Sequence, residues 1–117
     1  TPRASFGFDT ADSKTTLTVT HESGDSISAS DLTISGGSQY FNTTQNSSTA
    51  NTSKVWSTAA SVGSNTDVSA GSSVEMTATN STNNATDEDF AGDTVRVIYD
   101  SPDSDSSSTL AKFEVPT

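Results

Sequence analysis

The stretch Thr15–His21 reads TTLTVTH, and its alternation decides the fold. On an extended chain Leu17, Val19 and His21 share one face, while Thr16, Thr18 and Thr20 share the other. The same period of two recurs outward along the sequence. SVEMTAT (73–79) sets Val74, Met76 and Ala78 against Glu75 and Thr77, and TVRVIYD (94–100) aligns Val95, Val97 and Tyr99. ASFGFD (4–9) gives Ala4, Phe6 and Phe8 a common face, and AKFEVP (111–116) does so for Ala111, Phe113 and Val115. Apolar β-branched and aromatic residues alternating with polar ones mark half-buried strands. The core expected from this pattern contains Phe6, Phe8, Leu17, Val19, His21, Val74, Val95, Val97 and Phe113, joined by Trp56, the one tryptophan.

Composition pulls the other way. Ser and Thr fill over a third of the 117 positions, 29% of residues are hydrophobic, and the formal charge is −10. Leu, Ile, Val and Phe together fall under the ~20% level that, with high net charge, signals disorder. Five separate alternating segments outweigh that signal, because a disordered chain has no reason to sort apolar residues onto one face. A thin core then needs support. Fifteen Asp and Glu against five Lys and Arg suit molar salt, where self-repulsion is screened within about 3 Å and excluded salts strengthen apolar burial. An assembly would also help, since neighbours that bind the folded state stabilise it.

The acidic balance excludes nucleic acid as a partner, because phosphates would be repelled, and it disfavours anionic membrane surfaces. There is no cysteine, so the disulfide staples of many small secreted domains are not used. That points away from a eukaryotic secreted module and leaves an extracellular microbial one open. No apolar run is long enough to span a membrane, and no signal peptide is visible. The opening TPRASF suggests a segment upstream that was removed or lies outside the sequence.

Polar punctuation sets the organisation. DTADSK (9–14) is a turn between the first two strands, and ESGDS (22–26) a second, with Gly24 placed for a positive φ. DLTISGG (31–37) reads as a strand with Leu32 and Ile34 inward, ended by Gly36 and Gly37. Residues 38–54 read as a long solvated loop, after which Val55 and Trp56 return to the core. A helix is compatible only with 59–63. NSTNNATDED (80–89) and DSPDSDSSS (100–108) are further loops, the second forming the acidic tip of a C-terminal hairpin. AGSSVEM (70–76) and AGDTVRV (91–97) share Ala-Gly-x-x-Val-x-[Met/Val], better explained as a recurrent turn leading into a strand than as a duplicated unit. Together these signals predict one all-β domain over 1–117, an immunoglobulin-like antiparallel β-sandwich.

Five of the seven asparagines begin an Asn-x-Ser/Thr triplet: Asn42, Asn46, Asn51, Asn80 and Asn84. All five fall in expected loops, where a glycosyltransferase can reach them, so N-linked glycans are expected. Asp100, Asp103 and Asp105 superficially suggest calcium. An EF-hand loop counted from Asp100 would need glycine at Asp105 and glutamate at Ala111, so a solvated acidic hairpin is the better account. Asp87, Glu88 and Asp89 get the same reading. His21 lies near Ser23 and Asp25, but spacings of two and four along a strand and turn do not build a nucleophilic relay, and no nucleophile elbow is present. His21 is expected to pack or hydrogen-bond at a strand end. Paired carboxylates for glycoside chemistry lack an aromatic-lined cleft. No catalytic residue, metal ligand or cofactor site is expected.

Taken in order, PRASFGFD, LTVTHESGDSI, the mid-chain Trp56 and AGDTVRVIYDSPDSDSSSTLAKFEVP resemble the globular head domains of haloarchaeal type IV pilins. The similarity covers most of the chain, with 42–54 and 77–89 standing as variable insertions. The resemblance implies a homo-oligomeric helical filament outside the cell, built on an apolar N-terminal helix that a prepilin peptidase exposes. That helix lies outside these 117 residues and would carry the only membrane contact, before assembly. Pro2 fits the place where helix passes to head. The head would be N-glycosylated and present its surface to cells or abiotic materials in adhesion and biofilms, with no enzymatic activity. Rival expectations are an archaellum filament subunit, a filament built by strand exchange through residues 4–9, and a secreted or cell-surface β-sandwich binding module using exposed Tyr40 and Phe41. A hydrolase ranks last.

Overall fold

A computed structural model describes residues 2–117. Strands make up 51% of it, so alternation and not composition governs the fold. Five strands form one antiparallel sheet in the order β1-β2-β9-β5-β6, with β1 Ala4–Thr10, β2 Thr16–Gly24, β9 Ser73–Thr79, β5 Tyr40–Thr43 and β6 Asn46–Asn51. Four form a second in the order β11-β10-β4-β7, with β11 Ser107–Glu114, β10 Thr94–Asp100, β4 Leu32–Ser35 and β7 Ser53–Val55. A small ladder pairs β3 (Ile27–Ser28) with β8 (Asp67–Val68). One helical turn, α1 (Trp56–Ala59), follows β7 directly. Two antiparallel sheets around one apolar cluster are consistent with a β-sandwich.

Register explains which side chains meet inside. Val19 pairs with Val74 and Leu17 with Met76 across β2 and β9, while Phe41 pairs with Ala78 across β5 and β9. In the other sheet Val97 lies opposite Ile34, and Val95 opposite Phe113. All of these except Phe113 are buried. Phe90, from the loop before β10, packs against Phe41 at 6.5 Å between ring centroids. Phe6 reaches both His21 (5.1 Å, edge-on) and Trp56 (6.0 Å). Phe8 and Phe113 are half-buried and not fully interior; they stack on each other at 5.4 Å with planes 7° apart. That pair sits where β1 and β11, the outer strands on one side of the two sheets, come together.

The two Ala-Gly segments behave alike. Gly71 and Gly92 both take positive φ (98° and 79°) just before β9 and β10, a conformation that side chains with a Cβ resist. The strands they launch belong to different sheets, so the two segments share a local turn and not a place in the fold. The C-terminal hairpin forms as expected, with the acidic tip between β10 and β11.

Three expectations fail. Val55 does not return to the core with Trp56 but stays 38% exposed at the end of β7. Residues 38–54 are not one solvated loop; they supply β5, β6 and β7. The cause is Phe41, which is fully buried, together with buried Thr43 and Lys54. Of the two aromatics proposed as exposed, only Tyr40 is, at 38%. The helix falls at Trp56–Ala59 and not at 59–63, because Trp56 and Ala59, three apart, both face the core.

Phe41→Ala tests the strand assignment. A buried phenylalanine truncated to alanine costs about 3–5 kcal/mol, whereas a position in a solvated loop costs under about 0.5 kcal/mol. Urea unfolding of the variant is expected to show the larger loss.

Candidate functional site

The most elaborate polar structure lies along β6. This strand pairs with β5 at Phe41–Asn51 and Thr43–Asn46, so Asn42 alone faces the four residues Ser47–Ala50. The excess bows out as an arc whose carbonyls need donors from elsewhere. Lys54 supplies two. It lies opposite Ile34 and turns inward, with 4% of its surface exposed. Its Nζ donates to the carbonyls of Asn46 (3.2 Å) and Thr49 (3.0 Å) and to Thr49 Oγ1 (3.4 Å). Asn83 Nδ2 donates to the Ser47 carbonyl at 2.9 Å. Asn42 Nδ2 donates to Asn83 Oδ1 at 3.0 Å and to the Ser47 carbonyl at 3.4 Å. Thr43 Oγ1, fully buried, accepts from the Asn46 N–H at 3.1 Å and donates to the Ala59 carbonyl. Asn46 Nδ2 donates to the Thr58 carbonyl at 3.0 Å.

The five sequon asparagines therefore occupy different settings. Asn42, Asn46 and Asn51 stand on strands, contrary to the loop assignment, because the buried side chains between them draw the segment into the sheet. Asn80 and Asn84 lie in the loop before β10, as expected. Asn80 Oδ1 accepts from the Thr82 N–H (3.0 Å), the Thr82 hydroxyl (2.8 Å) and the Asn84 N–H (3.0 Å). Asn84 Oδ1 accepts from the Thr86 N–H (3.0 Å) and hydroxyl (2.7 Å). Each of these is an Asx turn closed by the threonine of its own triplet.

His21 is fully buried at the end of the β2 pattern. Its Nε2–H donates to the Asp25 carbonyl at 2.9 Å, and Nδ1 has no hydrogen-bond partner among the described residues. The Asp25 carboxylate instead accepts from the Arg3 N–H (2.9 Å), and Ser23 bonds Ser5 (3.3 Å), so the three do not line up. Asp100 accepts from Thr33 Oγ1. Among the described residues no cluster of His, Cys, Asp and Glu is arranged to hold a metal ion, and no helix is long and apolar enough to cross a membrane.

A cleft of about 220 Å³ opens between α1 and the segment before β9, lined by Trp56, Val62, Asp67, Gln45 and Ser72 among others. Trp56 is only 2% exposed, so it offers an edge and no open face for stacking. Lys54, Thr43 and Asn83 are the residues that sequence reasoning missed. Lys54 follows Ser-Thr-rich sequence and carries no sign that it points inward; Asn83 is distinguished only by lying in an Asn-rich run.

Two charges respond to burial. Burial lowers Lys54 below its ordinary 10.5. The folded chain then releases this proton before the unfolded chain does, so stability rises with pH between the folded-state value and 10.5. Denaturant unfolding of wild type and Lys54→Met across this range is expected to show the rise in wild type alone. Asp93 is pushed above 3.8 by burial and by Asp89, against the opposing bond from Ser38. The folded chain binds the extra proton first, so this group's contribution to stability falls as pH climbs from 3.8 through the folded-state value. Asp93→Asn keeps the Oδ1 acceptor and is expected to be more stable than wild type at neutral pH. The gain should shrink as pH approaches about 4.

No protein-family model matches the chain, and no curated protein is detectably similar to it in sequence.

Proposed function

We propose that this chain is the outward-facing β head of a structural filament subunit of the archaeal type IV pilin kind, with an immunoglobulin-like sandwich architecture and glycans on its surface. One observation carries the reading. Phe6 from PRASFGFD, His21 from LTVTHESGD and Trp56, scattered over the sequence signature, meet in one buried aromatic cluster. Phe8 and Phe113, from its first and last parts, stack on each other. Residues that share a packing role in this way support the ordered motifs as the signature of one fold and not a chance series.

The division of labour follows. Polymerisation would belong to an apolar segment outside these residues, and the head would supply a hydrophilic exterior for contacts with cells or surfaces. Only one ion pair, Lys112–Glu114 at 3.6 Å and exposed on both sides, is formed among the described residues. The remaining acidic charge is relieved by mobile cations, which suits a salt-rich exterior. A free binding module is less well supported, because Phe41 is buried and Trp56 presents no face.

Protein purified from its source tests the assignment. Peptide mapping is expected to recover an apolar segment joined upstream of Pro2, and antibodies against the head should label filaments in electron micrographs. A mature chain starting at Thr1 and free of filaments would transfer the case to the binding module. Salt provides a separate check. Raising KCl from about 0.1 M to 3 M is expected to raise the thermal midpoint by roughly 10 °C, a gain of about 1–2 kcal/mol.

A further inference from the structure

We propose that Asn80 and Asn84 are the glycan acceptors of this chain, and that Asn42 and Asn46, which carry the same triplet, are structural amides that stay unmodified. The inference rests on the glycoprotein part of the proposed function and says which sites serve it.

N-glycosylation needs a side-chain nitrogen that is free. The donor would be a sugar joined through its anomeric carbon to the phosphate of a lipid carrier. A bond forms from asparagine Nδ2 to that carbon, the carbon–oxygen bond to phosphate breaks with its electron pair leaving on the phosphate, and one Nδ2 proton passes to a base of the transferase. At Asn42 both Nδ2 hydrogens are engaged, by Asn83 Oδ1 and the Ser47 carbonyl, and the side chain is half-buried. A sugar there would remove one donor and uncouple Asn83 from the β6 arc. Its triplet hydroxyl is also diverted, since Thr44 Oγ1 donates to Glu75 at 2.8 Å. At Asn46, half-buried too, the triplet hydroxyl of Ser48 does donate to Oδ1 at 3.3 Å, but Nδ2 is held by the Thr58 carbonyl across to α1, and that bond sets the site apart.

The loop before β10 presents the opposite arrangement. Among the described residues every bond made by the side chains of Asn80 and Asn84 arrives at Oδ1, and Nδ2 has no acceptor. Donation to Oδ1 draws amide electrons toward oxygen and makes the Nδ2 protons easier to lose. At both sites the donors include the backbone and hydroxyl of the threonine two places on, joined at Asn80 by the Asn84 N–H. Asn84, Ala85 and Thr86 are all exposed, leaving room for a sugar, whereas Asn80 is half-buried like Asn42 and Asn46 and differs from them in the state of its Nδ2. Asn51 is exposed on the outer strand and has neither arrangement, so it does not discriminate.

The test uses native protein and its variants expressed in the source host. Trypsin separates the two groups, because Thr15–Lys54 holds Asn42, Asn46 and Asn51, while Val55–Arg96 holds Asn80 and Asn84. Mass spectrometry of intact glycopeptides is expected to place sugar on Val55–Arg96 at both asparagines. Thr82→Ala and Thr86→Ala should each remove one glycan, whereas Thr44→Ala and Ser48→Ala should leave the glycan mass unchanged. Sugar found on Asn42 or Asn46, or confined to Thr15–Lys54, overturns the assignment while leaving a glycosylated head intact. A chain bare at all five sites overturns both, and leaves the filament assignment to its own test.

Discussion

The two sheets are closed on one side by an ammonium group and on the other by a pair of rings. Lys54 belongs to β7 of the four-stranded sheet, yet its Nζ bonds the backbone of β6 in the five-stranded one. Desolvating a charge costs several kcal/mol unless its protons find acceptors. Here the acceptors are the Thr49 carbonyl and hydroxyl, within the arc that the irregular β5–β6 pairing leaves without strand partners, and the Asn46 carbonyl where the arc begins. An apolar residue of similar length would pack at that position and strand the arc's carbonyls. Opposite, Phe8 on Phe113 holds β1 to β11 by area alone. Between these two closures the packing is mainly apolar, with His21, Thr43 and Thr79 as the buried polar residues.

That division also marks what could be read from the sequence. Where burial is apolar, the inward residues repeat every second position: Leu17, Val19 and His21, then Val74, Met76 and Ala78, then Val95 and Val97. The period of two was visible and the strands follow it. On β5 and β7 the inward residues are Phe41, Thr43 and Lys54. Two of the three are polar, so hydropathy carries no alternation there, and the surrounding Asn, Ser and Thr look like a loop. The strands persist because side-chain amides and an ammonium satisfy the backbone, and such three-dimensional pairings leave no trace in local pattern. Phe90 was hidden for a related reason, since it follows an acidic run and reaches the core without a strand of its own. The sequon asparagines were visible as triplets, but whether Nδ2 is occupied depends on Asn83 and Thr58, which lie far from Asn42 and Asn46 in sequence.

The unusual Ser, Thr and Asn content then has a structural use beyond solubility. Thr16, Thr18 and Thr20 face outward on β2, keeping strand propensity without adding to an apolar surface. Threonine has the β-branched shape that suits a pleated surface and a hydroxyl that suits water. A core with eighteen buried hydrophobic residues in a chain of 117 can therefore be wrapped by strands whose outer face is mostly polar, with Tyr40 and Val55 as exposed exceptions. The disorder signal in the composition arises because such wrapping dilutes the apolar fraction while leaving the inner face intact.

The outer strands are built in a way that the proposed filament would require. A free strand edge invites pairing with another chain. Here β7 is only three residues long, and β6 is bowed and covered by side-chain donors. The β1–β2 pairing shifts register at Ser5–Phe6, and the β10–β11 pairing at Val97–Ile98, irregularities that twist an edge away from a flat template. Glu114 and Lys112 place charge along β11. In the proposed filament the heads would stand at high local density, held by a segment outside them, and their edges would have to remain unpaired for the filament symmetry to be set elsewhere. A chain that blunts its outer strands in these ways and adds a net charge of −10 is suited to standing beside identical neighbours without fusing into a continuous sheet.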